Sequence, residues 1–274
     1  MGNLGRWDLV RQVVVVIGTV LQVVAPVIAT AFVNVSVGEV SEANSTLVVP
    51  ADYAFVVWGP IFLLSLAFAA YQALPAKRED PLLRRIGWWI GGAFLLNGGW
   101  EILFPASRFL LAEAVFLGVF ACLFVAYRRL VSFSGERALS GPDRWLVALP
   151  LGLLFGWVTV ANFVGVATTL VGVGLLGGGI GEALLGAALL LLGGLCASAL
   201  ILYGKIGSLQ GYVAYAAAVV WGLAGVVVNQ YDASLLTTGT ALISAALVAL
   251  VLFGALREVL SRRRAGRNTR PETA

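Results

Sequence analysis

Asn97 and Glu101 stand four residues apart in the run LNGGWEILF, which puts both on one face of a helix. Trp100 and Phe104, also four apart, share the adjacent face, and Gly98 and Gly99 leave room for a neighbouring helix or a flat ligand. Earlier in the chain, Trp58 and Phe62 repeat the four-residue interval in YAFVVWGPIFLLSLAFAAYQ. Later, Trp157, Thr159 and Asn162 fall within PLGLLFGWVTVANFVGV. These side chains suit non-covalent recognition: aromatic rings stack on a planar molecule and a few polar groups fix its orientation. Helix-to-helix packing is the competing role for Asn97, and contact with interfacial water is the competing role for Glu101. Glu113, farther along, is read as either interfacial or interior.

The residues that would carry bond-making chemistry are scarce. The chain has no His, which removes Ser-His-Asp and Cys-His catalysis, His-ligated haem and most zinc sites. Its two cysteines, Cys122 and Cys196, sit inside apolar runs and read as small hydrophobes rather than a disulfide or metal ligands. The stretch GVGLLGGGIG lacks the Lys and Ser/Thr of a phosphate-binding loop and reads as a flexible or closely packed connection. We therefore expect no catalytic residues, no metal, no cofactor and no enzymatic activity.

The elements that position these residues follow from composition. Of 274 residues, 60% are hydrophobic and 12% charged, about half the charge that a water-facing surface of this size carries. The apolar residues run unbroken over lengths that match the hydrocarbon core of a bilayer. The expected fold is all-α, a polytopic bundle of eight transmembrane helices near 12–33, 53–74, 86–104, 109–127, 145–167, 184–203, 211–229 and 235–256. Helix is required because lipid offers no partner for open backbone groups.

Loop charge supports the count. With eight crossings, every basic residue of the 18 except Arg108 falls on one side, which the positive-inside rule makes the cytoplasm, together with both termini. The opposite loops are acidic or neutral, with Glu39, Glu42, Asp52, Glu182 and Asp232. The basic segment after Arg257 reads as a solvated anchor for anionic lipid, and nothing points to nucleic acid. Arg6, Arg11 and the apolar stretch behind them resemble a signal peptide, but that stretch exceeds twenty residues and reads as a retained helix. The tripeptides at Asn34 and Asn44 fit the glycosylation pattern by chance, because a composition rich in Ala, Gly, Leu, Val and Arg suggests a bacterium and hence its inner membrane.

Taken together, the three aromatic segments resemble the TspO/MBR family, the tryptophan-rich sensory proteins related to the translocator protein. Leu96, Asn97, Trp100 and Phe104 match that family's third-span run, Trp58 and Phe62 its second-span spacing, and Trp157 with Ala161 its fifth-span spacing. The resemblance covers about residues 10–170. The first loop lacks the family's Trp-Tyr and Lys-Pro lid elements, and Gly165 replaces an expected Asn. The last three spans have no counterpart in five-span members.

The resemblance implies a five-helix unit at 1–170, a Gly-rich connection at 171–183, three further helices at 184–257 and a basic tail at 258–274. It also implies a receptor for a porphyrin or related tetrapyrrole, or a sterol-like lipid. Trp58, Phe62, Asn97, Trp100, Glu101, Trp157 and Asn162 would be the binding residues. The lack of His favours metal-free tetrapyrrole over a haem enzyme. A homodimer is compatible with this reading. Two other classes stay open, a transporter of small hydrophobic solutes and a structural membrane protein whose Gly152/Gly156 and Gly207/Gly211 pairs only pack helices.

Overall fold

The computed structural model describes residues 2–268, and within them it is helical without strands. The long helices are α1 (Gly2–Val33), α2 (Trp58–Ala73, entered through a 3₁₀ segment Asp52–Val57), α3 (Pro81–Leu103) and α4 (Phe109–Glu136). They continue as α5 (Gly141–Gly172), α6 (Gly179–Gly204), α7 (Leu209–Gln230) and α8 (Leu235–Asn268). Seven of these, all but α3, are long and apolar enough to cross a membrane. Helix α3 carries Arg84, Arg85, Asn97 and Glu101, yet its 23 residues reach about 34 Å and it lies between α1 and α4. The chain is an integral, multi-pass membrane protein. The expected basic tail is split: residues 258–268 prolong α8, and 269–274, with Arg270, lie outside the described residues.

Sequence sets the helix ends. Asp80 caps α3 by accepting from the N–H groups of Leu82 and Leu83, with Pro81 at the first helical position. Ser140 caps α5 through Asp143 N–H. A π-helical turn over Arg144–Ala148 precedes Pro150, whose missing N–H breaks the regular ladder. Gly174, Gly178 and Gly179 take positive φ in the α5–α6 connection, a conformation that costs glycine little.

The two ends of the bundle differ chemically. At one end Arg84 pairs with Asp8, Arg85 with Glu136, Lys77 with Asp80 and Asp143, and Lys205 with Glu258. At the other, contacts are between backbone and neutral or acidic side chains, as where Glu182 accepts from Leu47 N–H at 2.8 Å.

Close approach is built from glycine. On α1 and α3, a Cβ on Gly18 would stand 3.0 Å from Phe94 Cβ, and one on Gly98 would stand 2.6 Å from Leu21 Cγ. On α5 and α7, a Cβ on Gly152 would overlap the Gly211 carbonyl, and one on Gly156 the Tyr215 carbonyl. Helix α7 therefore packs directly on α5, across the glycine-rich connection. Tyr215 Oη donates to Thr159 Oγ1 at 3.0 Å in that interface. The C-terminal helices also clasp the first loop: Ala51 N–H donates to Gly225 O at 2.9 Å, and Val48 Cγ1 fills the space beside Gly186.

Candidate functional site

At the end opposite the ion pairs, three indoles from three helices meet. Trp58 (α2) lies 6.1 Å from Trp100 (α3) and 6.2 Å from Trp157 (α5), centroid to centroid. Phe62 stacks on Trp58 at 5.4 Å, while Trp100 stacks between Phe104 at 5.2 Å and Phe116 at 4.5 Å. Phe55, from the 3₁₀ segment, meets Trp157 edge-on at 5.9 Å. Fixed ring pairs of this kind contribute about 0.5–1.5 kcal/mol each beyond their buried area, so the cluster is a rigid wall.

Two cavities flank that wall. The larger, about 240 Å³, lies between α1 (Pro26, Ala29, Thr30), the first loop and α2, with Phe55, Trp58, Phe62 and Glu101 facing it. The smaller, about 40 Å³, lies between Trp58, Trp100, Phe104 and Trp157 and the α5 residues Ala161 and Gly165. Trp58 and Phe55 border both.

Several polar atoms around these spaces are buried without hydrogen-bond partners among the described residues: Trp58 Nε1, Trp157 Nε1 and Glu101 Oε1. Buried donors and acceptors are normally satisfied, so each of these atoms is open to a hydrogen bond with a group entering the cavity. Glu113 adds another, since its Oε1 is unpaired while its other carboxylate oxygen occupies the space beside Gly165. A polar group from α4 thus reaches the position where the TspO pattern places an Asn on α5.

The expected site residues divide. Trp58, Phe62 and Glu101 line the larger cavity, and Trp58, Trp100 and Trp157 the smaller. Asn97 lines neither; it is fully buried and its Nδ2 donates to Gln22 Oε1 on α1 at 3.3 Å, so it joins two helices. Asn162 also lines neither, and its Nδ2 returns to its own helix at Val158 O, 2.8 Å away. Glu113, interfacial or interior by its place in the sequence, is partly buried between α4 and α5.

Sequence reasoning missed the cover of the site. Residues 35–38 and the short helix Val37–Ala43 close over both cavities, Val37 lining each and Ser41 the smaller. The signal was present in Ser36-x-x-Glu39, a capping box in which each side chain bonds the other residue's N–H. The Ser36 backbone N–H, aided by its hydroxyl, holds the Glu39 carboxyl below its usual range. The loop is thus ordered without the Trp-Tyr or Lys-Pro elements. Its far half is held by α7: Trp221 Nε1 donates to Ala54 O at 2.8 Å, and Gln230 Nε2 to Thr46 O and Val49 O at 3.1 and 3.0 Å.

An all-helical, multi-pass membrane bundle with an aromatic-walled cavity under an ordered loop is the class of protein these features define. The model of the family described as TSPO-like protein matches residues 11–254, nearly the whole chain. The chain belongs to that family. The match runs through the last three helices, well past the residue-170 limit of the aromatic motifs. Comparison with curated proteins and with solved structures gave no match.

Proposed function

We propose that this protein is a membrane receptor for a planar hydrophobic ligand, a porphyrin or other tetrapyrrole being the class its family resemblance favours, with a regulatory rather than catalytic role. It sits in a bacterial inner membrane with both termini in the cytoplasm, as the concentration of basic residues at one end favours. The observation that carries the binding reading is the junction of Trp58, Trp100 and Trp157 beside a cavity onto which unpaired polar atoms border. Rings already held in place lose little freedom on stacking a ligand, which favours affinity.

The test is titration of protein in lipid nanodiscs with protoporphyrin, as free acid and as dimethyl ester, following tryptophan emission against empty discs. Saturable quenching by either form, weakened several-fold to about tenfold by Trp100→Leu or Trp157→Leu and unaffected by Trp7→Leu, is the expected result. Trp7 is 63% exposed at the basic end, far from the cavities. No saturable quenching by either form overturns the proposal.

A further inference from the structure

Glu101 is 2% exposed, lines the larger cavity, and keeps Oε1 without a partner. The rings of Phe55, Trp58 and Phe62 form the same cavity's apolar walls, and a second carboxylate, Asp52, stands exposed on its lining. Among the described residues, no Lys or Arg lines either cavity. Arg108, the basic residue of this end, is exposed at the start of α4 and borders neither space.

The asymmetry has a chemical meaning. A carboxyl group in an apolar cavity is costly to keep unpaired, and a nitrogen-borne donor or positive charge removes that cost. Indole and phenyl faces are negative and attract the same group, most strongly where water is excluded. A carboxylate entering the cavity meets two acidic groups and no cation, and so stays desolvated without compensation.

We propose that the larger cavity selects flat ring systems bearing a positively charged or N–H-bearing nitrogen, which Glu101 and the faces of Trp58 and Phe62 hold, and that it rejects ligands that bring a carboxylate inside. This narrows the planar-ligand reading above and rests on it. The cavity, at about 240 Å³, is smaller than the roughly 300–1,000 Å³ of whole drug-sized sites. It holds a small fused-ring amine entirely, or one nitrogen-bearing edge of a larger macrocycle.

Ring systems matched in shape and differing in charge test this in nanodiscs: 9-aminoacridine (cationic), anthracene (neutral) and acridine-9-carboxylate (anionic), with protoporphyrin dimethyl ester and its free acid as the macrocycle arm. The wild-type protein is expected to bind 9-aminoacridine about tenfold more tightly than the carboxylate, and the ester more tightly than the free acid. Glu101→Gln is expected to lose about tenfold toward 9-aminoacridine and less than twofold toward anthracene. Glu101→Asp, which keeps the carboxyl group, is expected to retain part of the preference. Which arm binds more tightly distinguishes a small amine from a macrocycle edge. Saturable binding without a charge order in the wild type overturns this inference whatever the variants do, as does an order that Glu101→Gln leaves intact. Failure of every probe to bind overturns the planar-ligand reading itself.

Discussion

The indole N–H of Trp221 donates to the carbonyl of Ala54 across 2.8 Å, joining residues 167 positions apart. Ala54 lies in the 3₁₀ segment that delivers Phe55 and Trp58 to the cavities. Helix α7 touches neither cavity, yet it fixes the backbone that carries two of their walls. With the bonds from Asn229 and Gln230 to Val49 it makes the C-terminal helices a support for the site.

Trp221→Phe keeps most of the packing and removes that donor, leaving a buried acceptor weakly satisfied. A loss of about 1 kcal/mol in stability is expected. Ligand affinity is expected to fall several-fold although no contact residue has changed. Thermal melting and fluorescence titration on the same preparation measure both, and unchanged affinity would show that the 3₁₀ segment holds its place unaided.

Gly152→Leu and Gly156→Leu place side chains where α7 backbone carbonyls stand, so α5 and α7 must separate. Loss of the folded monodisperse species in size-exclusion chromatography is expected. Gly59→Ala and Gly99→Ala, where a Cβ meets nothing within 4 Å, serve as neutral counterparts. Equal behaviour of all four would contradict the close α5–α7 contact.

The Asn97–Gln22 pair is expected to act on stability and not on ligand. Replacing each by Leu, singly and together, gives a double-mutant cycle with a coupling of about 0.6 kcal/mol, the common size for polar pairs between membrane helices. Porphyrin affinity should stay within twofold for all three variants. A tenfold loss in Asn97→Leu with no coupling to Gln22 would return Asn97 to the binding site.

Reporter fusions test orientation. Fusions after residues 45 and 175 should report the outside, and those after residues 80, 137 and 270 the cytoplasm. A cytoplasmic signal after residue 175 breaks the eight-crossing topology.

What was legible in the sequence was what lipid enforces on each segment by itself. Length and apolarity marked the helices, and the bias of Arg and Lys marked one end, because both act on a single span or loop. The burial of Trp157 was legible for the same reason, since a mid-span indole gains nothing from the interface, whereas Trp58 and Trp100, near the ends of their spans, were marked only by motif spacing. Neighbour choice was not legible. Asn97 had to face something polar, but that this is Gln22, 75 residues earlier, depends on how α1 rotates about its own axis. The contact of Gly152 with Gly211 was hidden likewise: two small-residue pairs were visible, but not that one member of each meets the other. The aromatic motifs stopped near residue 170, so the dependence of the first loop on α7 carried no local mark.

With centroids 6.1 and 6.2 Å from Trp58, Trp100 and Trp157 are too near it to absorb light as independent dyes. Their transition dipoles couple, and with the Trp58 and Trp157 planes at 81° the coupled pair is chiral wherever the ring axes do not share a plane. The aromatic wall is therefore expected to show its own optical signature, an exciton-coupled dichroism couplet at the strong far-ultraviolet indole band, shared by the three rings. Removing any one of them is expected to abolish more of that couplet than a single tryptophan's share, before any ligand is added, which circular dichroism of the three single variants checks.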